Sequence, residues 1–74
     1  MDKRILITGS NGLLGQKLIS SFQSKNEIFA TSIGPCRIKD KSGFVYKDLD
    51  LTDKDAVYHY IKKINPDAII NAAA

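Results

Sequence analysis

The sequence predicts an α/β fold, a parallel sheet with covering helices. Three observations carry that reading. Segments of strand and helix character alternate along the 74 residues as β-α-β-loop-β-α-β. The first strand run, Ile5-Leu6-Ile7, is apolar at every position, the pattern of a strand buried on both faces. Three of the five glycines, Gly9, Gly12 and Gly15, then follow at equal spacing.

Composition sets the frame. A chain that is 43% hydrophobic and 26% charged has the balance of a folded domain, and 74 residues suffice for one small core. The net charge of +3 is scattered, with no basic run longer than Lys3-Arg4 or Lys62-Lys63, which argues against a nucleic-acid partner. A single cysteine, Cys36, permits no internal disulfide and fits a reducing compartment such as the cytoplasm. The apolar run after Met1-Asp2-Lys3-Arg4 is too short for a signal peptide, and no stretch is long enough to span a membrane.

The elements follow in order. After the first strand, a helix is expected from near Gly12 to about Ser24. Leu14, Leu18 and Phe22 recur there at four-residue steps, with Leu13 and Ile19 alongside. A second strand occupies residues 28–33 and is stopped by Gly34 and Pro35. Residues 35–43 form a polar, basic connection too short and irregular for a full helix. The third strand begins at Phe44 and ends near Asp50. Thr52-x-x-Asp55 resembles a capping box with Asp in place of Glu. Val57, Tyr60, Ile61 and Ile64 then form the apolar stripe of a second helix, closed by Asn65-Pro66. Residues 67–71 are the fourth strand, and the crossovers should be right-handed.

The glycines have a common explanation. Parallel strands bring their carboxyl ends to one edge of the sheet, where ligands sit near the first βα turn. Gly9 would make the tight turn, Gly12 would let a phosphate approach the backbone, and Gly15 would let the helix pack close to the strand. The helix start offers unpaired N–H groups and partial positive charge, which suit a pyrophosphate. Leu13 and Leu14 would contribute amides. The spacing is G-x-x-G-x-x-G, with Ser10 where G-x-G-x-x-G requires glycine, so its weight comes from the strand before it and the helix after it. A tight turn without a ligand is the alternative.

Three landmarks together carry a family resemblance: Thr8-Gly9-Ser10-Asn11-Gly12-Leu13-Leu14-Gly15, Asp50-Leu51-Thr52-Asp53 and Asn71-Ala72-Ala73-Ala74. In this order and spacing the chain resembles the extended short-chain dehydrogenase/reductase family, in its dTDP-4-dehydrorhamnose reductase-like branch, from Lys3 to Ala74. The resemblance implies the N-terminal half of a Rossmann-type sheet, strand order 3-2-1-4, with helices on both faces. It implies that Gly9, Ser10, Asn11, Gly12, Leu13, Leu14 and Gly15 make the pyrophosphate turn. It also implies that Asp50 accepts from the adenine amino group, that Leu51 packs near the ring, and that Ala72, Ala73 and Ala74 line the cofactor. A carboxylate is a suitable acceptor for an amine. For Asp50 the alternative is a solvated acid at a helix start.

The cofactor is read from the second strand's end. NAD binders usually carry an acid there for the ribose 2′-OH. This chain has Ser32 at that position and Arg37 just beyond. An acid would repel a 2′-phosphate, while a hydroxyl and a guanidinium would accept one, so NADP(H) is favoured and NAD(H) is the alternative.

The family's chemistry needs a Tyr and a Lys four residues apart. Tyr58-His59-Tyr60-Ile61-Lys62 has that spacing. The stripe leaves Tyr58 and Lys62 on the outer face of their helix, and the family's pair lies beyond the fourth strand, so no catalytic residue is assigned. His59 and Cys36, far apart, make no metal set. The 74 residues are therefore expected to be the partial NAD(P)-binding domain of a longer enzyme, without its catalytic and substrate-binding part. Such an isolated half sheet is expected to fold poorly or self-associate.

The resemblance implies a reductase of a 4-keto sugar-nucleotide, in a family that often forms homodimers. Two other readings stay open: a non-catalytic NADP-binding regulatory subunit, like that of methionine adenosyltransferase, and a nucleotide-sugar epimerase or dehydratase.

Overall fold

The structure, a computed structural model, describes residues 3–38 and 43–72. Four strands, β1 (Arg4–Thr8), β2 (Glu27–Ser32), β3 (Phe44–Asp48) and β4 (Ala68–Asn71), form one parallel sheet in the order β3-β2-β1-β4. Helix α1 (Leu13–Phe22) joins β1 to β2, and α2 (Lys54–Ile64) joins β3 to β4. The two crossovers run in opposite directions across the sheet. Right-handedness therefore sends their helices to opposite faces.

Register shows what each face is made of. Ile5 aligns with Ile28 and Phe44, and Ile7 aligns with Ala30, Tyr46 and Ile70. Ile5, Ile7, Ile28 and Ala30 are buried with Ile19 of α1, and Leu18, Phe22 and Ile38 pack against them. The alternate residues, Val45-Phe29-Leu6-Ile69, form a row on the other face. There Leu6 is 2% exposed, while Val45 and Ile69 at the ends are 51% and 52% exposed. Helix α2 lies over this face, where Ala56 and Tyr60 share a groove with Lys47 and Leu49.

Several expected boundaries move. Helix α1 ends at Phe22, with Gln23 as its C-cap, and Asn26 closes it, its backbone N–H and its Nδ2 each donating to Phe22 O at 3.1 Å. Strand β2 begins one residue early, where Glu27 N–H donates to Lys3 O at 2.8 Å. The capping box at Thr52 is not formed. Asp53 is the N-cap of α2 and accepts from Ala56 N–H at 3.2 Å, while the Thr52 hydroxyl is taken by Asp50. Asn65 closes α2 at φ 52°, as its position before Pro66 suggests. Of the expected stripe only Ile64 is fully buried, and Val57, Tyr60 and Ile61 are half-buried, because a single helix covers this face.

Arg4 ties the lower edge together. Its Nη1 donates to Ile64 O at 2.7 Å, its Nε reaches Glu27 Oε1 at 3.2 Å, and its backbone N–H reaches Asp67 Oδ2 at 2.8 Å. Among the described residues no helix is long and apolar enough to cross a membrane.

Candidate functional site

The carboxyl ends of β1, β2 and β3 open onto one edge of the sheet, and Gly9, Ser32, Asp50 and Leu51 of the sequence-derived site line one cleft there. The three glycines differ in why they are glycine. Gly9 has φ +73°, a left-handed turn that side chains disfavour. At Gly15, a Cβ would fall 2.6 Å from Ser10 Cα and 2.7 Å from Gly9 O. At Gly15 the start of α1 thus meets the turn itself, while Ile19 further along rests on the strands. Gly12 is different. Its backbone is extended (φ −76°, ψ 168°), and a Cβ would meet nothing nearer than Gly9 O at 3.6 Å. The fold does not require glycine at Gly12, whereas a ligand approaching the backbone would.

Gly12 is also the N-cap of α1, with no side-chain cap and no acid in the first turn. Helix geometry leaves the amides of Leu13, Leu14 and Gly15 without intrahelical partners. Their positive end is therefore not neutralised locally, the condition for holding an anion. Leu13 and Leu14 are exposed, Leu13 by 79%. Ser10 is wholly buried. Its N–H donates to Thr31 O at 3.0 Å, and the hydroxyls of Ser10 and Thr31 have no hydrogen-bond partner.

Beside the turn lies a mostly apolar cleft of about 210 Å³, lined by Gly9, Ser32, Ile33, Leu49, Asp50, Leu51 and Thr52. It joins Gly9 of the first landmark and Asp50, Leu51 and Thr52 of the second to Ser32 of β2; among the described residues none of the third landmark lines it. Asp50 sits at the rim in a turn of its own: Oδ1 accepts from Thr52 N–H at 2.9 Å and from the Thr52 hydroxyl at 2.8 Å. Those two bonds, the backbone one first, hold its carboxyl below the ordinary 3.8, so it stays charged. Ala72 is half-buried and continues the sheet, its N–H donating to Thr8 O at 2.8 Å. Ala73 and Ala74 lie outside the described residues.

The segment after β2 is brought against the glycine turn. Asn11 Oδ1 accepts from Arg37 N–H at 2.8 Å, and its Nδ2 donates to Pro35 O at 3.1 Å. The Tyr46 hydroxyl lies 2.7 Å from Gly34 O and 3.1 Å from Ser32 O, and Gly34 N–H donates to Asp48 Oδ1 at 2.8 Å. Burial raises the Tyr46 hydroxyl above 10.0, reinforced by the Asp48 charge and opposed by the bond from Asn11, so it remains a donor. Sequence reasoning missed Tyr46 and Asp48. The available signal was Tyr46's inward position two residues after Phe44, since a buried phenol needs a partner.

Tyr58 and Lys62 are exposed on α2, and Lys62 Nζ stands 5.2 Å from the Tyr58 ring centre. This is a surface cation–π pair away from the cleft. His59 is likewise exposed on α2.

A model of the RmlD substrate binding domain matches residues 3–74. The chain is 36% identical over 73 residues to methionine adenosyltransferase 2 subunit beta of Bos taurus, covering 99% of this chain and 20% of that protein. It is 34% identical over 73 residues to dTDP-4-dehydrorhamnose reductase of Aggregatibacter actinomycetemcomitans, covering 96% and 20%. Among solved structures, L-threonine dehydrogenase of Clostridium difficile superposes with a TM-score of 0.75 at 30% identity, covering 93% of this chain and 23% of that one. The chain thus spans about a fifth of the length of the curated relatives it matches.

Proposed function

We infer the function from one premise: the chain belongs to the RmlD substrate binding domain family. We propose that these residues bind the adenosine diphosphate part of a nicotinamide dinucleotide for an oxidoreductase. The observation that carries this is Gly12. It is a glycine the fold does not need, at an uncapped helix start, next to a cleft lined by Ser32, Asp50 and Leu51.

In this reading the Leu13 and Leu14 amides hold the pyrophosphate. Gly9 shapes the turn, and Gly15, buried under it, sets its distance from α1. The free oxygen of Asp50 accepts from the adenine amino group, Leu51 covers the ring, and Ser32 faces the ribose. Ala72, Ala73 and Ala74 flank the cofactor at the end of β4. The absence of an acid at Ser32 and the presence of Arg37 favour NADP(H) over NAD(H). The bound nicotinamide would supply hydride chemistry, and the proton donor is assigned to none of these residues. For the whole protein we propose reduction of a 4-keto sugar-nucleotide in the cytoplasm, by a homodimer whose Tyr-x-x-x-Lys pair lies outside this chain.

A second reading has its own support, the 36% identity to methionine adenosyltransferase 2 subunit beta. In it the same site binds the dinucleotide and no turnover follows. One experiment addresses both. The whole protein is titrated with NADPH and NADH by fluorescence, and oxidation is then followed with 4-keto sugar-nucleotides. Saturable NADPH binding is expected, and its absence sinks the cofactor proposal. Binding without turnover on any such sugar supports the second reading.

A further inference from the structure

Residues 33–38 form no helix or strand, yet they must hold Arg37 in place for a 2′-phosphate to be recognised. What fixes them is side-chain bonding, and its centre is Asn11. The Asn11 carboxamide accepts from Arg37 N–H and donates to Pro35 O, at 2.8 and 3.1 Å. A carbonyl at one residue and an N–H two residues later are what a neighbouring strand would pair with. Asn11 therefore substitutes for a missing strand, its planar carboxamide presenting a donor and an acceptor side by side as a backbone amide group would. Its other end is fixed as well. Asn11 lies between Gly9 and Gly12, and its carbonyl accepts from Gln16 Nε2 at 2.8 Å.

Tyr46 braces the same segment from β3. Its hydroxyl has one hydrogen, and the 2.7 Å contact to Gly34 O is shorter than the 3.1 Å contact to Ser32 O. Asn11 Nδ2 reaches this hydroxyl at 3.5 Å. The glycine turn, the end of β2 and the backbone of Arg37 are thus one connected unit.

We propose that Asn11 is a positioning residue for cofactor choice: by binding the backbone of Arg37 it sets where that guanidinium meets the adenosine 2′-phosphate. The proposal rests on the NADP(H) reading above. Asn11 touches no phosphate through its side chain and acts through Arg37.

The test is a double-mutant cycle in the whole protein, reading the ratio of NADH to NADPH dissociation constants. Arg37→Ala is expected to lower that ratio. Asn11→Ala is expected to lower it roughly three- to tenfold, the range of one or two lost hydrogen bonds, with NADPH losing more affinity than NADH. In the Arg37→Ala background, Asn11→Ala should change the ratio no further. Tyr46→Phe, which keeps the ring packing, should shift the ratio in the same direction and guards against a folding artefact in Asn11→Ala. If Arg37→Ala leaves the ratio unchanged, the NADP(H) reading and this proposal both fall. If Arg37→Ala lowers it but Asn11→Ala does not, or lowers it equally without Arg37, or weakens both cofactors alike, only the proposal for Asn11 falls.

Discussion

Adding one methyl group separates the glycine roles at the start of α1. In Gly15→Ala the new Cβ would lie 2.6 Å from backbone, so the helix must shift, and a loss of about 1–3 kcal/mol is expected in urea unfolding. In Gly12→Ala the methyl meets only ordinary contact distance, and stability should change by less than about 1 kcal/mol. Dinucleotide affinity should nonetheless fall roughly ten- to a hundredfold, as measured by calorimetry, because the methyl holds the phosphate away from the helix amides and weakens a charge-assisted hydrogen bond to them. Equal effects on stability from both variants would remove the distinction. Asp50 gives a second test at this scale. Its carboxyl is depressed first by the Thr52 N–H and then by the Thr52 hydroxyl. A depressed acid releases its proton more readily when folded. The turn's contribution is therefore present above about pH 4 and is lost as pH falls through the folded value. Thr52→Val removes only the hydroxyl, so the Asp50 titration followed by carbon NMR should rise part of the way towards 3.8.

The elements were legible in the sequence to different depths. Strand β1 and helix α2 were plain because burial imposes a period, all-apolar in one and three-and-four in the other. The start of α2 was not, because Thr52 and Asp53 are both good caps and the choice was made by Asp50. Once its carboxylate engages the Thr52 hydroxyl at 2.8 Å, Asp53 remains to cap. The convergence of Gly9, Ser32, Asp50 and Leu51 on one cleft followed from parallel topology, which brings strand ends together. The link from Asn11 to residues 35–37 could not be read, since it joins positions 24 and 26 apart through a loop with no periodicity. Two outcomes test α2 itself. Asp53→Ala should cost about 1 kcal/mol, the usual value of an N-cap. Tyr58→Phe should leave cofactor binding and any hydride transfer unchanged, because the Tyr58–Lys62 pair is a surface contact; a hundredfold loss of turnover would reinstate the pair as catalytic.

At the scale of the molecule, two faces of one sheet are finished to different degrees. The α1 face is closed by Ile19, Leu18, Phe22 and Ile38. The α2 face ends in Val45 and Ile69, about half exposed at opposite edges of the same row. The two edge strands are not equally guarded. Strand β3 carries exposed Lys47 and Asp48, charges that oppose pairing with another chain. Strand β4, Ala-Ile-Ile-Asn, carries none. An uncharged edge next to an exposed isoleucine is a template for strand addition. The 74-residue chain by itself should therefore associate through β4. Sedimentation velocity should show a size that grows with concentration, and Ile69→Lys should shift it towards monomer, while Val45→Lys at the charged edge should do so less. A single monomeric species across concentrations, with a sharp thermal transition, would show that α2 already covers enough of this face.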